Sequence, residues 1–245
     1  MSQFMDMIRL PNYGLGVAKG QFDDITHIHK FGAVPAMSVN TTGTIWDIND
    51  TLYPWSTVDV GASTLTVDCA SASDVGEQVV IIGLDGDWNV AQETVSLSSQ
   101  TGNATTTAFR RVYRAYFIDG AAAINVGNID IKYSTTVIAR VSAEKGQTQM
   151  AVYTTPANHT GYVVQLVGTI QSGGDATIDM FVRYFGEDNF RSQHTFEVAG
   201  VGGQYIMPFT VPLNIPPKSD IDCRARVRSN NSRVTAVFEV ILDED

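Results

Sequence analysis

Two histidines stand one residue apart near the N-terminus, His27 and His29, shortly after two aspartates. On an extended strand, side chains two positions apart point to the same side, so these imidazoles could share a metal ion such as Zn²⁺. A metal site needs three or four ligands, and the other two histidines are far away in the sequence. The alternative is an ordered segment whose histidines hydrogen-bond to backbone or cap a turn. The sequence favours this alternative, and we expect no metal ion and no cofactor.

The segment Asp85-Gly86-Asp87-Trp88-Asn89 has the alternating oxygen ligands that begin a calcium loop. The sixth position is Val90 and the twelfth is Ser96, where an EF-hand needs Gly and Glu. The segment is therefore predicted to be a hairpin turn. No GxSxG, HExxH or cysteine–histidine arrangement is present either, so we expect a protein that is not an enzyme.

Three arginines, Arg224, Arg226 and Arg228, alternate with small apolar residues near the C-terminus. On a strand they would share one face, while Ala225 and Val227 would enter the core. Such a face needs carboxylate partners, which either the same chain or an identical neighbouring subunit can provide. The pattern therefore predicts a charge ladder between strands or between subunits.

A second basic run, from Arg110 to Tyr116, is interleaved with tyrosines and could stack on single-stranded nucleic acid or on a sugar. The chain carries a net charge of −10, which argues against binding nucleic acid by neutralising phosphates. Binding of a glycan by exposed aromatic residues near Tyr113, Tyr116 or Trp88 stays open as an alternative.

The elements that must position these residues are strands. Between residues 61 and 245, short runs of β-branched and aromatic residues are separated by Gly, Asn, Asp and Ser, and helical periodicity is nearly absent. The candidate strands are 64–69, 78–84, 94–97, 109–118, 129–133, 137–141, 149–154, 162–170, 176–185, 195–198, 205–211, 221–227 and 234–242. We predict an all-β fold of antiparallel β-sandwich, jelly-roll-like modules.

Two such modules are expected, over residues 61–143 and 144–245, with a single large sandwich as the competing arrangement. Residues 1–60 are rich in Gly and in aromatic residues but show few plausible strands. We expect an irregular N-terminal arm that docks through His27, His29, Phe31, Trp46 and Trp55, either on its own body or on a neighbouring subunit. In this arm Phe31 is the expected anchor, and the glycine after it allows a turn.

The whole chain is 44% hydrophobic and only 17% charged, which suits a protein partly covered by partners. It has neither the basic start and apolar run of a signal peptide nor a stretch of about 20 apolar residues for a membrane span. We therefore expect a product made in a cytoplasm, with no membrane and no nucleic acid among its partners.

Ten short motifs are spread along nearly the whole chain: HKFG at 29–32, IWD at 45–47, LYP at 52–54, GLD at 83–85, ETVSL at 93–97, FRRVYRA at 109–115, NVGNI at 125–129, QTQMAVYT at 147–154, TGY at 160–162 and KSDI at 218–221. Together they resemble a virion structural protein family of tailed bacteriophages, common among marine phages. The family pattern continues with Arg-Asn-Pro after HKFG, whereas this chain has Ala33-Val34-Pro35.

The resemblance implies a non-enzymatic component of the virion, assembled in the cytoplasm of the host bacterium. A head-associated decoration, cement or fibre-base protein is the favoured role, and a neck or tail adaptor or fibre protein is the alternative. The implied partners are further copies of the chain, with a trimer expected, and the major coat protein or neck and tail proteins.

Overall fold

The computed structural model describes residues 13–118, 124–171, 174–200 and 202–244. Two short helices and one 3₁₀ turn lie among many strands. The helices are α1 (Tyr13–Ala18) and α2 (Trp55–Val58), and the 3₁₀ turn is Ala72–Asp74. The strands are β1 (Ile25–Met37), β2 (Thr42–Thr44), β3 (Thr66–Cys69), β4 (Gln78–Asp85), β5 (Val90–Ser96), β6 (Asn103–Ala104), β7 (Phe109–Ile118), β8 (Ile129–Tyr133), β9 (Thr136–Val141), β10 (Val152–Thr154), β11 (His159–Ile170), β12 (Ala176–Arg183), β13 (Arg191–Val198), β14 (Gln204–Ile215), β15 (Asp220–Val227) and β16 (Ser232–Glu244). The predicted all-β class is confirmed.

Two of the four sheets form a jelly roll. One sheet has the strand order β1-β16-β11-β14 and the other has β10-β15-β12-β13, with β2 added beside β15. Neighbours in both sheets run antiparallel. Numbered along the chain without β2, the eight strands have the order 1-8-3-6 in one sheet and 2-7-4-5 in the other, which is the double Greek-key order of a jelly roll. The predicted antiparallel, jelly-roll-like sandwich is therefore confirmed for this part of the chain.

The remaining strands form an insert between the first and second strands of the jelly roll. The insert contains one sheet of order β6-β3-β8-β9 and a second of order β5-β4-β7, again antiparallel. It runs from Thr66 to Val141, within the range 61–143 expected for a first module. The second module is larger than the range 144–245, because it takes its first strand from residues 25–37.

Each module has its own apolar core. Strands β12 and β16 alternate strictly between buried and less buried residues, so one face of each enters the jelly-roll core. Leu166, Met180 and Phe238 are fully buried there, and apolar side chains fill the space between the two sheets. The insert has a separate core that includes Leu65, Ile81 and other buried apolar residues. Functional groups must therefore lie on outer faces or at the junction of the modules.

The irregular arm expected over residues 1–60 is a wrong prediction for residues 25–37. These residues form the long edge strand β1, which pairs with β16 over most of its length. Gly32 and Pro35 obscured the strand in the sequence, and Pro35 lies where the register shifts between Val34 and Met37. Residues 1–12 of the expected arm lie outside the described residues.

Gly32 does not form the turn expected from the sequence. A Cβ atom at this position would lie 2.1 Å from the carbonyl oxygen of Ile45 and 2.4 Å from the amide nitrogen of Ala151. The glycine therefore allows three backbone segments to pass close together, and this contact joins β1 to the chain that enters and leaves the insert.

Candidate functional site

His27, His29 and Phe31 lie together on the outer face of β1, as their spacing predicted. Both imidazoles contact one carboxylate on the neighbouring strand, with 2.7 Å from His27 Nε2 to Glu239 Oε2 and 2.6 Å from His29 Nδ1 to Glu239 Oε1. The ring of Phe31 is 5.7 Å from that of His29. Both oxygens of Glu239 are thus used by histidines, and the described residues include no group of three or more His, Cys, Asp or Glu side chains placed to hold a metal ion.

Beside these residues, a cleft of about 450 Å³ separates β1 from the insert, and Lys30 lies at its wall. Lys30 is only 5% exposed, and its Nζ donates a hydrogen bond to the carbonyl oxygen of Tyr113. Tyr113 is the extra residue of a β-bulge. Ile82 pairs with Arg114 and the following Gly83 pairs with Val112, so Tyr113 has no partner on β4. Burial, together with the nearby charge of Arg114, lowers the pKa of Lys30 to about 7.

Trp46 and Trp55 are not on a surface. They are 2% and 8% exposed and pack on either side of Tyr53, with ring distances of 5.3 and 4.6 Å. The sequence left open whether these tryptophans dock on the chain's own body or on a neighbouring subunit. In the structure they pack on the chain's own body. As exposed anchors for a partner they are a wrong prediction, because a sequence rich in aromatic residues does not distinguish a core from an interface.

Trp55 also binds a buried carboxylate. Its Nε1 donates to Asp222 Oδ2 at 2.9 Å, and Thr44 donates to the other oxygen at 2.8 Å. Burial raises the pKa of Asp222, although these donors and the adjacent Arg224 stabilise its charged form. These two hydrogen bonds hold the segment after β1 against strand β15 of the jelly roll.

Arg224 and Arg226 share one outer face of β15, as predicted, and Arg228 follows directly after the end of the strand; Ala225 and Val227 between them are buried. Each has a polar partner within the chain. The partners are Asp222 for Arg224 at 2.9 Å, Asn40 for Arg226 at 3.5 Å and Glu197 for Arg228 at 3.5 Å. Only Arg224 is held tightly, so Arg226 and Arg228 keep exposed charge on this face.

The strongest ion-pair network lies at the junction of the two modules. Arg111 from the insert and Arg183 from the jelly roll each contact both Asp59 and Asp220. The four salt-bridge distances range from 2.6 to 3.0 Å, and the side chains of Arg111 and Asp220 are each only 4% exposed. The ring of Trp55 lies 5.5 Å from one guanidinium and 5.4 Å from the other. This network clamps the insert to the jelly roll.

The pKa shifts follow from this geometry. Burial would raise the pKa of Asp59, but the hydrogen bonds from Arg183 and the charge of Arg111 outweigh it, so the pKa is lowered. Asp47, half-buried beside Ser142, has its pKa raised to about 6 by burial, although the Ser142 hydroxyl donates a hydrogen bond of 2.7 Å to it.

Next to the clamp, Trp88, Arg110, Phe185 and Lys218 line a pocket of about 250 Å³, which we call the junction pocket. Arg110 and Trp88 come from the insert, and Phe185 and Lys218 come from the jelly roll. The sequence singled out Trp88 and the run beginning at Arg110 separately. It gave no signal that the two meet, because their partners are about a hundred residues away.

No protein-family model and no curated protein matches the chain. Similar solved structures include a chain of the naturally occurring empty particles of cowpea mosaic virus, with 9% identity over 73% of this chain and 80% of that chain, and a TM-score of 0.24. A chain of broad bean stain virus has 9% identity, coverage of 76% and 85%, and a TM-score of 0.23. The infectious bursal disease virus VP2 subviral particle gives 11%, coverage of 90% and 72%, and a TM-score of 0.22. Similarities this weak do not establish a function.

Proposed function

We propose that the protein is a non-enzymatic structural subunit of a virus particle. Within that class, we propose a head-associated decoration, cement or fibre-base protein of a tailed bacteriophage, in line with the resemblance of its motifs. The observation that carries the proposal is the jelly roll with an apolar, fully packed interior. Jelly rolls of this kind serve coat and lectin proteins, which act through their outer surfaces.

Two surface patches support assembly into a homo-oligomer. The exposed His27 and His29 and the half-buried Phe31 lie on the outer face of one sheet, and Arg226, with Arg228 just beyond the end of β15, lies on the outer side of the other. Two different patches on opposite faces suit a heterologous, head-to-tail contact, which closes into a ring when the rotation allows it. A trimer or another cyclic assembly is consistent with this arrangement, and the coat protein or neck and tail proteins remain the proposed further partners.

The decisive experiment is mass spectrometry of purified particles of the virus that encodes the chain, with the copy number measured against the major coat protein. Copy numbers on the order of hundreds would support a place on the head lattice, and about six to a few dozen would move the protein to the neck, tail or fibres. Absence from purified particles would contradict the proposal.

The proposed contacts can be tested with matched variants. Phe31→Glu or Arg226→Glu should reduce both incorporation into particles and the mass of the purified protein measured by light scattering. Lys145→Glu, a change in an exposed turn outside both patches, should leave both unchanged. Equal behaviour of all three variants would contradict the assignment of the patches.

A further inference from the structure

The junction pocket offers an aromatic surface to solvent. Trp88 and Phe185 meet edge to face, with ring centroids 5.6 Å apart and an interplanar angle of 85°. Phe185 is 58% exposed although it is a large apolar residue. The exposed Phe185 ring, held edge to face against Trp88 at a concave site, provides apolar surface on which a ligand ring can pack.

Two cations in the same pocket have no ion-pair partner among the described residues. Arg110 lies 4.8 Å over the ring of Trp88, and its buried Nε has no hydrogen-bond acceptor. Lys218 Nζ lies 5.1 Å from the centre of the Phe185 ring. In a chain with a net charge of −10, carboxylates are abundant, so two uncompensated cations at one cavity are unusual.

Most other charges around the pocket are already paired. The two clamp arginines, Arg111 and Arg183, are neutralised by the clamp aspartates. Glu187 is paired with Arg191, whereas Asp188, which also lines the pocket, is exposed. The cations Arg110 and Lys218 outnumber this one carboxylate, so the charge left for a ligand is positive.

The backbone holds these groups in a costly conformation. Trp88 and Lys218 have positive φ angles of 69° and 61°, which is uncommon for residues other than glycine and a genuine outlier for a bulky residue. The turn at Trp88 is fixed by the Asp85 carboxylate, which accepts from the amides of Asp87 and Asn89 at 2.9 Å. Strain of this kind gathers at ligand-binding sites, where the surrounding structure maintains it.

We propose that the junction pocket binds a carboxylate-bearing sugar, such as a uronic acid residue of a surface polysaccharide. The apolar face of the sugar ring packs on the exposed ring of Phe185, beside the edge of Trp88, and its carboxylate is held by Arg110 and Lys218 through charge-assisted hydrogen bonds. The pocket of about 250 Å³ lies just below the roughly 300–1,000 Å³ of sites for drug-sized ligands, which suits one sugar residue of a chain. This inference does not depend on the proposed place in a virion.

The test uses the purified full chain and an array of glycans that contain uronic or sialic acids, each beside its methyl ester. The ester keeps the ring and removes the charge. We expect one or more acids to bind, and their esters to bind at least about tenfold more weakly, because a charge-assisted contact is lost. Failure of every acidic glycan to bind, or equal binding of acid and ester, would overturn the proposal.

Variants then locate the site. Arg110→Gln and Lys218→Asn should each weaken binding of the best acid by about tenfold or more, and asparagine tolerates the positive φ at position 218. Lys145→Gln should leave the affinity unchanged. Unaltered binding by the Arg110/Lys218 double variant would overturn the assignment. So would equally tight binding of single-stranded DNA, since the pocket would then read charge and stacking alone.

Discussion

Replacing Lys30 by methionine should make the protein more stable near neutral pH and leave it no more stable in mild alkali. Lys30 is a cation buried beside the jelly-roll core, and its Nζ donates a hydrogen bond to the carbonyl oxygen of Tyr113. Its pKa is lowered from 10.5 to about 7, so the folded state binds its proton less readily than the unfolded chain. Stability from this group is therefore lost as the pH falls from about 10.5 to about 7.

The magnitude follows from the two pKa values. With 1.36 kcal/mol per pKa unit, the proton costs the folded state about 4 kcal/mol near pH 7 but only about 1.5 kcal/mol near pH 9.5. Methionine keeps the length of the side chain and removes this cost. It also leaves the bulge carbonyl of Tyr113 without its donor, which costs about 1–3 kcal/mol at either pH. The stability of the variant relative to the wild-type protein should thus fall by about 3 kcal/mol, from an advantage of about 1–3 kcal/mol near pH 7 to about zero or below near pH 9.5.

Urea unfolding followed by tryptophan fluorescence measures this, because Trp46 and Trp55 are buried in the native state. The free energy of unfolding is compared between the wild-type protein and Lys30→Met at both pH values, with Lys145→Met as the exposed control. Tyrosines and cysteines that titrate in alkali affect both proteins equally, so they cancel in the difference. Parallel pH profiles of the two proteins would refute the reasoning.

Arg111→Met should lower the free energy of unfolding by about 3–5 kcal/mol, because it leaves Asp220 buried with only part of its compensation, and a loss below about 1 kcal/mol in urea melts would count against the clamp. Asp47→Asn should raise the free energy of unfolding by up to about 3 kcal/mol near pH 7 and change it little near pH 4. The reason is that the pKa of Asp47 is raised in the folded state, so the wild-type protein has its full stability in acid and loses part of it as the pH rises to about 6. An equal effect of the substitution at both pH values would contradict this. Gly32→Ala should cost at least about 2 kcal/mol in thermal or urea melts, because the new Cβ would overlap the Ile45 carbonyl; Gly86→Ala, where the nearest atom is 3.6 Å away, is the matched control.

The part of the fold that follows from the sequence is the part where strand-forming residues stand between clear turn residues. Strands 109–118 and 129–133 have the predicted bounds, because β-branched and aromatic residues are concentrated there. Strand β1 was missed because it contains Gly32 and Pro35 and packs at the junction of two modules, so its burial does not alternate with period two. The insertion of one module into the other could not be predicted, since no local pattern records which distant strands pair.

The candidate sites also have parts that could be predicted from the sequence and parts that could not. The shared face of His27, His29 and Phe31 and that of the C-terminal arginines follow from the period-two geometry of a strand. The partners of these side chains could not be predicted from the sequence, and neither could the burial of Trp46 and Trp55. Both depend on contacts between residues that are distant in the sequence. A deletion of residues 1–35 would therefore remove most of β1, the strand that pairs with β16.

The clamp and the junction pocket should be coupled, because they share one strand of the insert. Arg110 and Arg111 are neighbours on β7, and both guanidinium groups lie against Trp88, at 4.8 and 5.2 Å. Arg111 fixes β7 to Asp220, only two residues from Lys218. If the clamp sets the separation between the two cations, a change at Arg111 must alter binding in the pocket without touching the ligand. If the pocket is preorganised by the insert alone, Arg111→Met would lower stability and leave glycan affinity unchanged. Measuring both quantities on that one variant therefore distinguishes a site built by the junction from a site that only lies beside it.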